Sequence, residues 1–129
     1  QIFTKKMIQR KIKGSVINLS SQLGHVGAYN RTVYCASKFA VEGFTKAAAM
    51  DLGKYGIRVN TIAPTKTIVN EKELIFTKKR LNLIKNKIPT KKFTEKEDIA
   101  ELCLFLTSNA SKNITGSSIK IDGGWTAGK

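Results

Sequence analysis

The sequence predicts an α/β fold built on a parallel sheet, and three observations carry that prediction. Short β-branched apolar runs alternate with longer segments of helical period. Their order is helix end, strand, helix, strand, two helices, strand. Each stretch joining consecutive strands is long enough to hold a helix, as a parallel crossover requires.

Taken in order, Phe3, Met7 and Ile8 have helical spacing, and Gly14 is the expected stop. Residues 15–20 (SVINLS) form a β-branched run expected as a buried strand. Residues 21–32 hold Gly24, Gly27, Asn30 and Arg31 and read as a loop. The longest helix is predicted over 33–52, where Ala36, Phe39, Ala40, Phe44, Ala47 and Ala48 keep the 3.6-residue period and Gly53 can cap the end. Its alanines suit close packing against a helix or a sheet.

Residues 57–62 (IRVNTI) form the second strand, closed by Pro64. Residues 71–88 read as a basic amphipathic helix with Leu74, Leu81, Ile84 and Ile88 on one face, ended before Pro89. Thr94 and Glu97 have the spacing of a capping box, and Ile99, Leu102, Cys103 and Leu106 follow at core-facing positions. A turn over 113–116 leads to the third strand, 117–122 (SSIKID), and then to Gly123-Gly124-Trp125. Three parallel strands are few for such a sheet, because an apolar parallel strand expects neighbours on both edges. With Gln1 rather than Met in first place, the expectation is the C-terminal part of a larger domain.

The chain has 129 residues, of which 41% are hydrophobic and 25% charged, values of an ordinary globular domain. They exclude a disordered chain, a collagen and a disulfide scaffold. No apolar run reaches the ~18–20 residues of a membrane span, and no signal-peptide pattern is present, so the expected location is cytoplasmic. Cys35 and Cys103 form no CxxC pair and read as small buried hydrophobes. His25 is the single histidine, which argues against a structural metal, and no metal site is expected.

The balance of 23 Lys+Arg against 9 Asp+Glu gives a net charge of +14, the footprint of a nucleic-acid binder. The excess is lysine, 19 against 4 arginines, whereas phosphate clamps and base readers favour the arginine fork. No Tyr or Phe is interleaved with the lysines as a stacking platform. A solvated basic surface accounts for the charge, and no specific nucleic-acid partner is expected.

The pattern that carries chemistry is Tyr34-Cys35-Ala36-Ser37-Lys38. On a helix, residues i and i+4 share a face. An ammonium that close to a phenol favours the phenolate and prepares it to exchange a proton with an alcohol or carbonyl oxygen. Ser20 and Ser21 end the first predicted strand, and Ser21 lies 13 residues before Tyr34. Open α/β sheets bind ligands at the carboxyl ends of their strands, which is where these serines and residues 58–64 belong.

Six segments in order, GSVINLSS (14–21), YCASK (34–38), FAVEGFTKAAAMDL (39–52), YGIRVNTIAP (55–64), EDIAELCLFL (97–106) and ITGSSIKIDGGW (114–125), closely resemble the C-terminal half of the short-chain dehydrogenase/reductase family. The resemblance implies an α/β, doubly wound, Rossmann-type parallel-sheet domain whose first strands are missing, with residues 1–129 as its catalytic half. It implies an NAD- or NADP-dependent interconversion of a secondary alcohol and a ketone. Ser21 would hold the substrate oxygen, with Ser20 the alternative. Tyr34 would be the acid/base, and Lys38 would lower its pKa and bind the nicotinamide ribose. Pro64, Thr65 and Thr67 would contact the cofactor. Pro64-Thr65 stands where Pro-Gly is usual, and Val69 stands where a threonine is expected, with Thr67 its candidate substitute.

The loop 22–31 would line the substrate pocket, with His25 structural there. The glycine-rich phosphate loop has no counterpart in the chain. The ending resembles members acting on hydroxy acids, sugar acids and 3-oxoacyl thioesters. A homo-oligomer is implied for the full-length form, through the helix over 33–52. Two rival readings are an inactive remnant of a split or truncated gene and a basic nucleic-acid-binding module.

Overall fold

A computed structural model describes residues 2–67 and 78–128. Its elements are α1 (Ile2–Gln9), β1 (Gly14–Leu19), a 3₁₀ turn (Gln22–Gly24), α2 (Thr32–Gly53), β2 (Ile57–Pro64), α3 (Lys78–Asn86), α4 (Lys96–Thr107), a second 3₁₀ turn (Asn109–Ser111) and β3 (Ser118–Ile121). The three strands form one parallel sheet in the order β1-β2-β3.

Side-chain hydrogen bonds show that helices cover both faces. Asn18 and Thr61 are cross-strand partners, and both bond to α2, to Thr45 and Glu42 respectively. Ser15 and Arg58 are partners of the opposite parity, and they bond to the carbonyls of Leu106 and Ser108 at the end of α4. This alternation follows from the period of 2 along a strand. The core is centred on β2, where Ile57, Val59, Ile62 and Ala63 are buried together with Ala49, Leu81, Ile88 and Leu106.

Several sequence expectations change in detail. α1 ends at Gln9, and Lys11 at φ 53° closes it, with Ile12 N donating to the Met7 carbonyl, so Gly14 opens β1 instead of capping a helix. α2 runs through Gly53, and the left-handed residue of the following turn is Gly56. The capping box lies one residue later than expected, with Glu95 as N-cap and the Asp98 carboxylate accepting from its N–H at 2.9 Å. Thr94 cannot serve because its hydroxyl donates to the Ile121 carbonyl at 2.7 Å, tying the start of α4 to β3. Of the helix expected over 71–88, α3 supplies the second half, and Leu74 lies outside the described residues.

Two corrections concern burial. β1 is half-buried, with Leu19 57% exposed, because it pairs with β2 on one edge only. Cys35 and Cys103 are likewise half-buried free thiols. On α2 the expected stripe faces away from the sheet: Ala36, Phe39, Ala40, Phe44 and Ala47 are exposed, and the inward face carries Lys38, Glu42, Thr45 and Ala49. No helix among the described residues is long and apolar enough to cross a membrane.

Asn60 does structural work that its strand position concealed. It is fully buried, its Nδ2 donates to the Ile114 carbonyl at 2.8 Å, and its Oδ1 accepts from Ser117 N at 3.1 Å. The turn into β3 is thereby held to β2. After β3, Asp122 gathers the Gly-rich tail, accepting from Gly124 N, Thr126 N and Thr126 Oγ1 at 2.9, 3.0 and 2.7 Å. Gly123, at φ 60°, lies against Ile88 and Thr90 where a Cβ would collide with both.

Replacing Asn60 by Ala removes the acceptor of the half-buried Ser117 N–H and leaves the Ile114 carbonyl only the longer bond from Arg58 at 3.4 Å. The expected cost is on the order of 2–4 kcal/mol in urea unfolding. Burial raises the Asp122 carboxyl, but the Thr126 and Gly124 hydrogen bonds and Lys120 outweigh it and hold its pKa below the usual carboxylate value. A depressed pKa contributes stability above the unfolded-state value, near ~4, and loses it as pH falls through the folded value. Asp122→Asn is therefore expected to flatten the acid limb of stability below about pH 4, read by thermal melts across pH.

Candidate active site

The carboxyl ends of β1 and β2 open onto a cleft of about 560 Å³. β1 gives way at Ser20, whose N–H still bonds to the Ile62 carbonyl at 2.9 Å. Ser21 then caps the first 3₁₀ turn, its Oγ accepting from Leu23 N at 3.2 Å and donating to Gln22 Oε1 at 2.9 Å. The Ser20 hydroxyl is buried without a partner and turns toward Gly24, where a Cβ would come within 2.7 Å of it. Ser20, Ser21, Gln22 and Leu23 form one wall.

Tyr34 stands in the first turn of α2, 44% exposed, on the same cleft. Lys38 follows one turn later with its Nζ 5.7 Å from the Tyr34 ring centroid, donating to the Leu19 carbonyl at 3.0 Å. Lys38 Nζ thus lies over the Tyr34 ring and is not among the residues lining this cleft.

The facing wall is Pro64, Thr65, Lys66 and Thr67. Thr65 N reaches the Ile121 carbonyl at 3.3 Å, while its Oγ1 is buried with no hydrogen-bond partner. Thr67 donates to the Thr65 carbonyl at 3.3 Å and forms a bridge with Thr94. Val69 lies outside the described residues.

Ser21, Tyr34, Pro64, Thr65 and Thr67 therefore share one cleft, with Lys38 supporting it from behind. Of the loop 22–31, Gln22, Leu23 and Arg31 reach the cleft. His25 turns the other way, with Nε2 2.9 Å from Ser118 Oγ and 3.2 Å from Glu42 Oε1.

The sequence placed Gln22 in the pocket-lining loop but did not reveal that it accepts the Ser21 hydroxyl, and it missed the buried Glu42. Gln22 adjoins the serine pair, which was the available signal. Glu42 continues the Tyr34–Lys38 spacing by one more helical turn. Arg31 and Lys66 line the cleft with no acidic side chain among its described residues. Arg31 spends one N–H on the Asn30 carbonyl at 3.2 Å.

Comparison with known proteins matches residues 2–126 to the family model described as enoyl-(acyl carrier protein) reductase. L-xylulose reductase of Mus musculus is 38% identical over 128 residues, covering 98% of this chain and 52% of that protein. Trans-4-hydroxycyclohexanecarboxylate dehydrogenase of Sinomonas cyclohexanicum is 43% identical over 117 residues, covering 89% of this chain and 42% of that protein. The structure of 4-hydroxyisoleucine dehydrogenase complexed with NADH superimposes with a TM-score of 0.90 at 38% identity, covering 98% of this chain and 52% of that one. The chain spans about half the length of the curated relatives it matches.

Thr65 separates structural from ligand-binding roles. Its unpartnered hydroxyl contributes little to the fold, so Thr65→Val should leave the melting temperature unchanged or raised. A fall of several degrees would show that the hydroxyl is bonded within the protein.

Proposed function

The chain belongs to the short-chain dehydrogenase/reductase family, and from that premise we propose that it is the catalytic half of an NAD- or NADP-dependent oxidoreductase interconverting a secondary alcohol and a ketone. One observation carries the reading. Tyr34 and Ser21 face a common cleft at the carboxyl ends of parallel strands, with the Lys38 ammonium stacked behind the phenol.

In reduction, the Tyr34 hydroxyl gives its proton to the substrate carbonyl oxygen, and in oxidation it takes the proton back. Ser21 turns its hydroxyl from Gln22 to the same oxygen and fixes its position. Lys38 holds its place through the Leu19 carbonyl, which keeps a positive charge over the Tyr34 ring. A nicotinamide nucleotide, when bound, supplies or accepts the hydride.

The cleft suits such a nucleotide because Thr65 Oγ1 is buried and unpartnered on its wall. Pro64, Thr65 and Thr67 would hold it on one side, with Tyr34 and Lys38 near its ribose. Arg31, on the cleft wall with one N–H on the Asn30 carbonyl, favours an anionic substrate. A hydroxy acid or sugar acid meets that condition through its carboxylate, and a 3-oxoacyl thioester through its phosphate-bearing carrier. The relatives named above act on a sugar and on hydroxylated acids by their own names. For the full-length form we propose a homo-oligomer, supported by the exposed stripe of Phe39, Phe44 and Met50 on α2.

Tyr34→Phe should lower nicotinamide-dependent ketone reduction by about 10²–10⁴-fold while leaving nucleotide binding, followed by NADH fluorescence, in place. Wild-type chain that binds neither nucleotide and reduces no ketone would support the inactive-remnant reading instead.

A further inference from the structure

The face that α2 turns to the sheet is joined to it by directed polar contacts as well as apolar packing. Lys38 Nζ donates to the Leu19 carbonyl at 3.0 Å, Thr61 Oγ1 donates to Glu42 Oε2 at 2.8 Å, and Asn18 Nδ2 donates to Thr45 Oγ1 at 2.9 Å. Glu42, Thr45 and Thr61 are 6%, 1% and 0% exposed. Apolar packing tolerates sliding of a helix along a sheet, whereas directed hydrogen bonds between buried groups fix its axial position, since a slip leaves them unmade.

Glu42 is the joint of this seam. Through Oε2 it holds β2 at Thr61. Its Oε1 is buried with His25 Nε2 3.2 Å away but not hydrogen-bonded to it, and the same nitrogen lies 2.9 Å from Ser118 Oγ on β3. Gly24 presses on the Glu42 stem: a Cβ there would lie 3.1 Å from Glu42 Cγ and from the Lys38 carbonyl. The 3₁₀ turn capped by Ser21 therefore rests on the helix that carries Tyr34, and the contact is at Glu42. Tyr34 lies eight residues away along α2, about 12 Å of stiff helix.

We propose that Glu42, through Thr61 and His25, is a positioning residue that sets the height of Tyr34 over the strand ends and its spacing from Ser21. It touches neither substrate nor cofactor in this role. The inference rests on the reading of Tyr34 as the proton-transferring group. Among the described residues, the titratable group set against the Glu42 carboxylate is His25, while Lys38, one turn earlier on α2, spends its ammonium on the Leu19 carbonyl. Thr61 and Ser118 complete the polar surroundings of the pair.

The test uses the full chain with ¹³C-labelled tyrosine. Its three tyrosines, Tyr29, Tyr34 and Tyr55, are assigned with Tyr34→Phe. In Glu42→Ala the Tyr34 ring resonance should move and its nitration rate should rise several-fold, with Tyr55 unchanged. Glu42→Gln keeps an oxygen acceptor for Thr61 and should restore both. In turnover, Glu42→Ala should lower kcat by about 10²-fold with KM within about twofold, and Glu42→Gln should recover most of the loss.

A folded Glu42→Ala variant with an unmoved Tyr34 resonance overturns the proposal. So does a kcat loss that merely tracks the folded fraction. Should Glu42→Ala fail to fold, Thr61→Val and His25→Gln remove the partners singly, and an unmoved Tyr34 signal in both overturns it equally. Absence of turnover in wild type sinks the oxidoreductase reading alone, because the tyrosine resonance still decides the placement of Tyr34.

Discussion

Among the described residues β2 is the strand hydrogen-bonded along both edges, and the elements around it take their position from that double ladder. Its side chains are buried almost throughout, including the polar Asn60 and Thr61. A polar group in such a place must find a partner inside the protein. Asn60 finds one in the turn entering β3, and Thr61 finds one in Glu42 of α2. The same requirement that satisfies these groups thereby fixes where β3 begins and where α2 lies. Thr65, just after β2, is one exception, as Ser20 is after β1. Its hydroxyl is buried without a partner, and it sits on the cleft.

The site is an outcome of that arrangement. Parallel strands bring their carboxyl ends to one rim, so Ser20 and Ser21 after β1 and Pro64 and Thr65 after β2 meet there. α2 runs back from the rim, which places its first turn, with Tyr34, over the strand ends. Lys38 completes the group through a backbone carbonyl of β1, at the point where the ladder stops. Ser21 donates its hydroxyl to Gln22, so the serine proton has a defined position on the cleft.

α2 also shows how polarity and burial part company. Its Phe and Ala stripe is exposed, and its buried face includes Glu42 and Thr45. Periodicity identifies an apolar stripe but not the surface that covers it, and a helix lying between a sheet and other surroundings can bury either side. Here the inward side carries hydrogen bonds to half-buried Asn18 and to fully buried Thr61, whose hydroxyl needs a partner there.

The alternation of β-branched runs with helical periods was enough to establish an α/β chain with three parallel strands, because strand and helix periods are local properties of side-chain spacing. The Tyr34–Lys38 pair and the serines were legible for the same reason, since four residues on a helix and the last residues of a strand are short-range relations. The exact caps were not. Whether Thr94 or Glu95 caps α4 depends on a carbonyl 27 residues away in β3 that claims the threonine hydroxyl. The roles of Asn60, Glu42 and His25 were equally hidden, because their partners lie on other elements and become neighbours only when the sheet assembles. The sequence by itself determined the elements and the chemistry of the rim. Tertiary structure alone decided which face of α2 is buried and which groups tie α2 to the sheet, because burial obliges polar atoms to find partners that sequence spacing does not reveal.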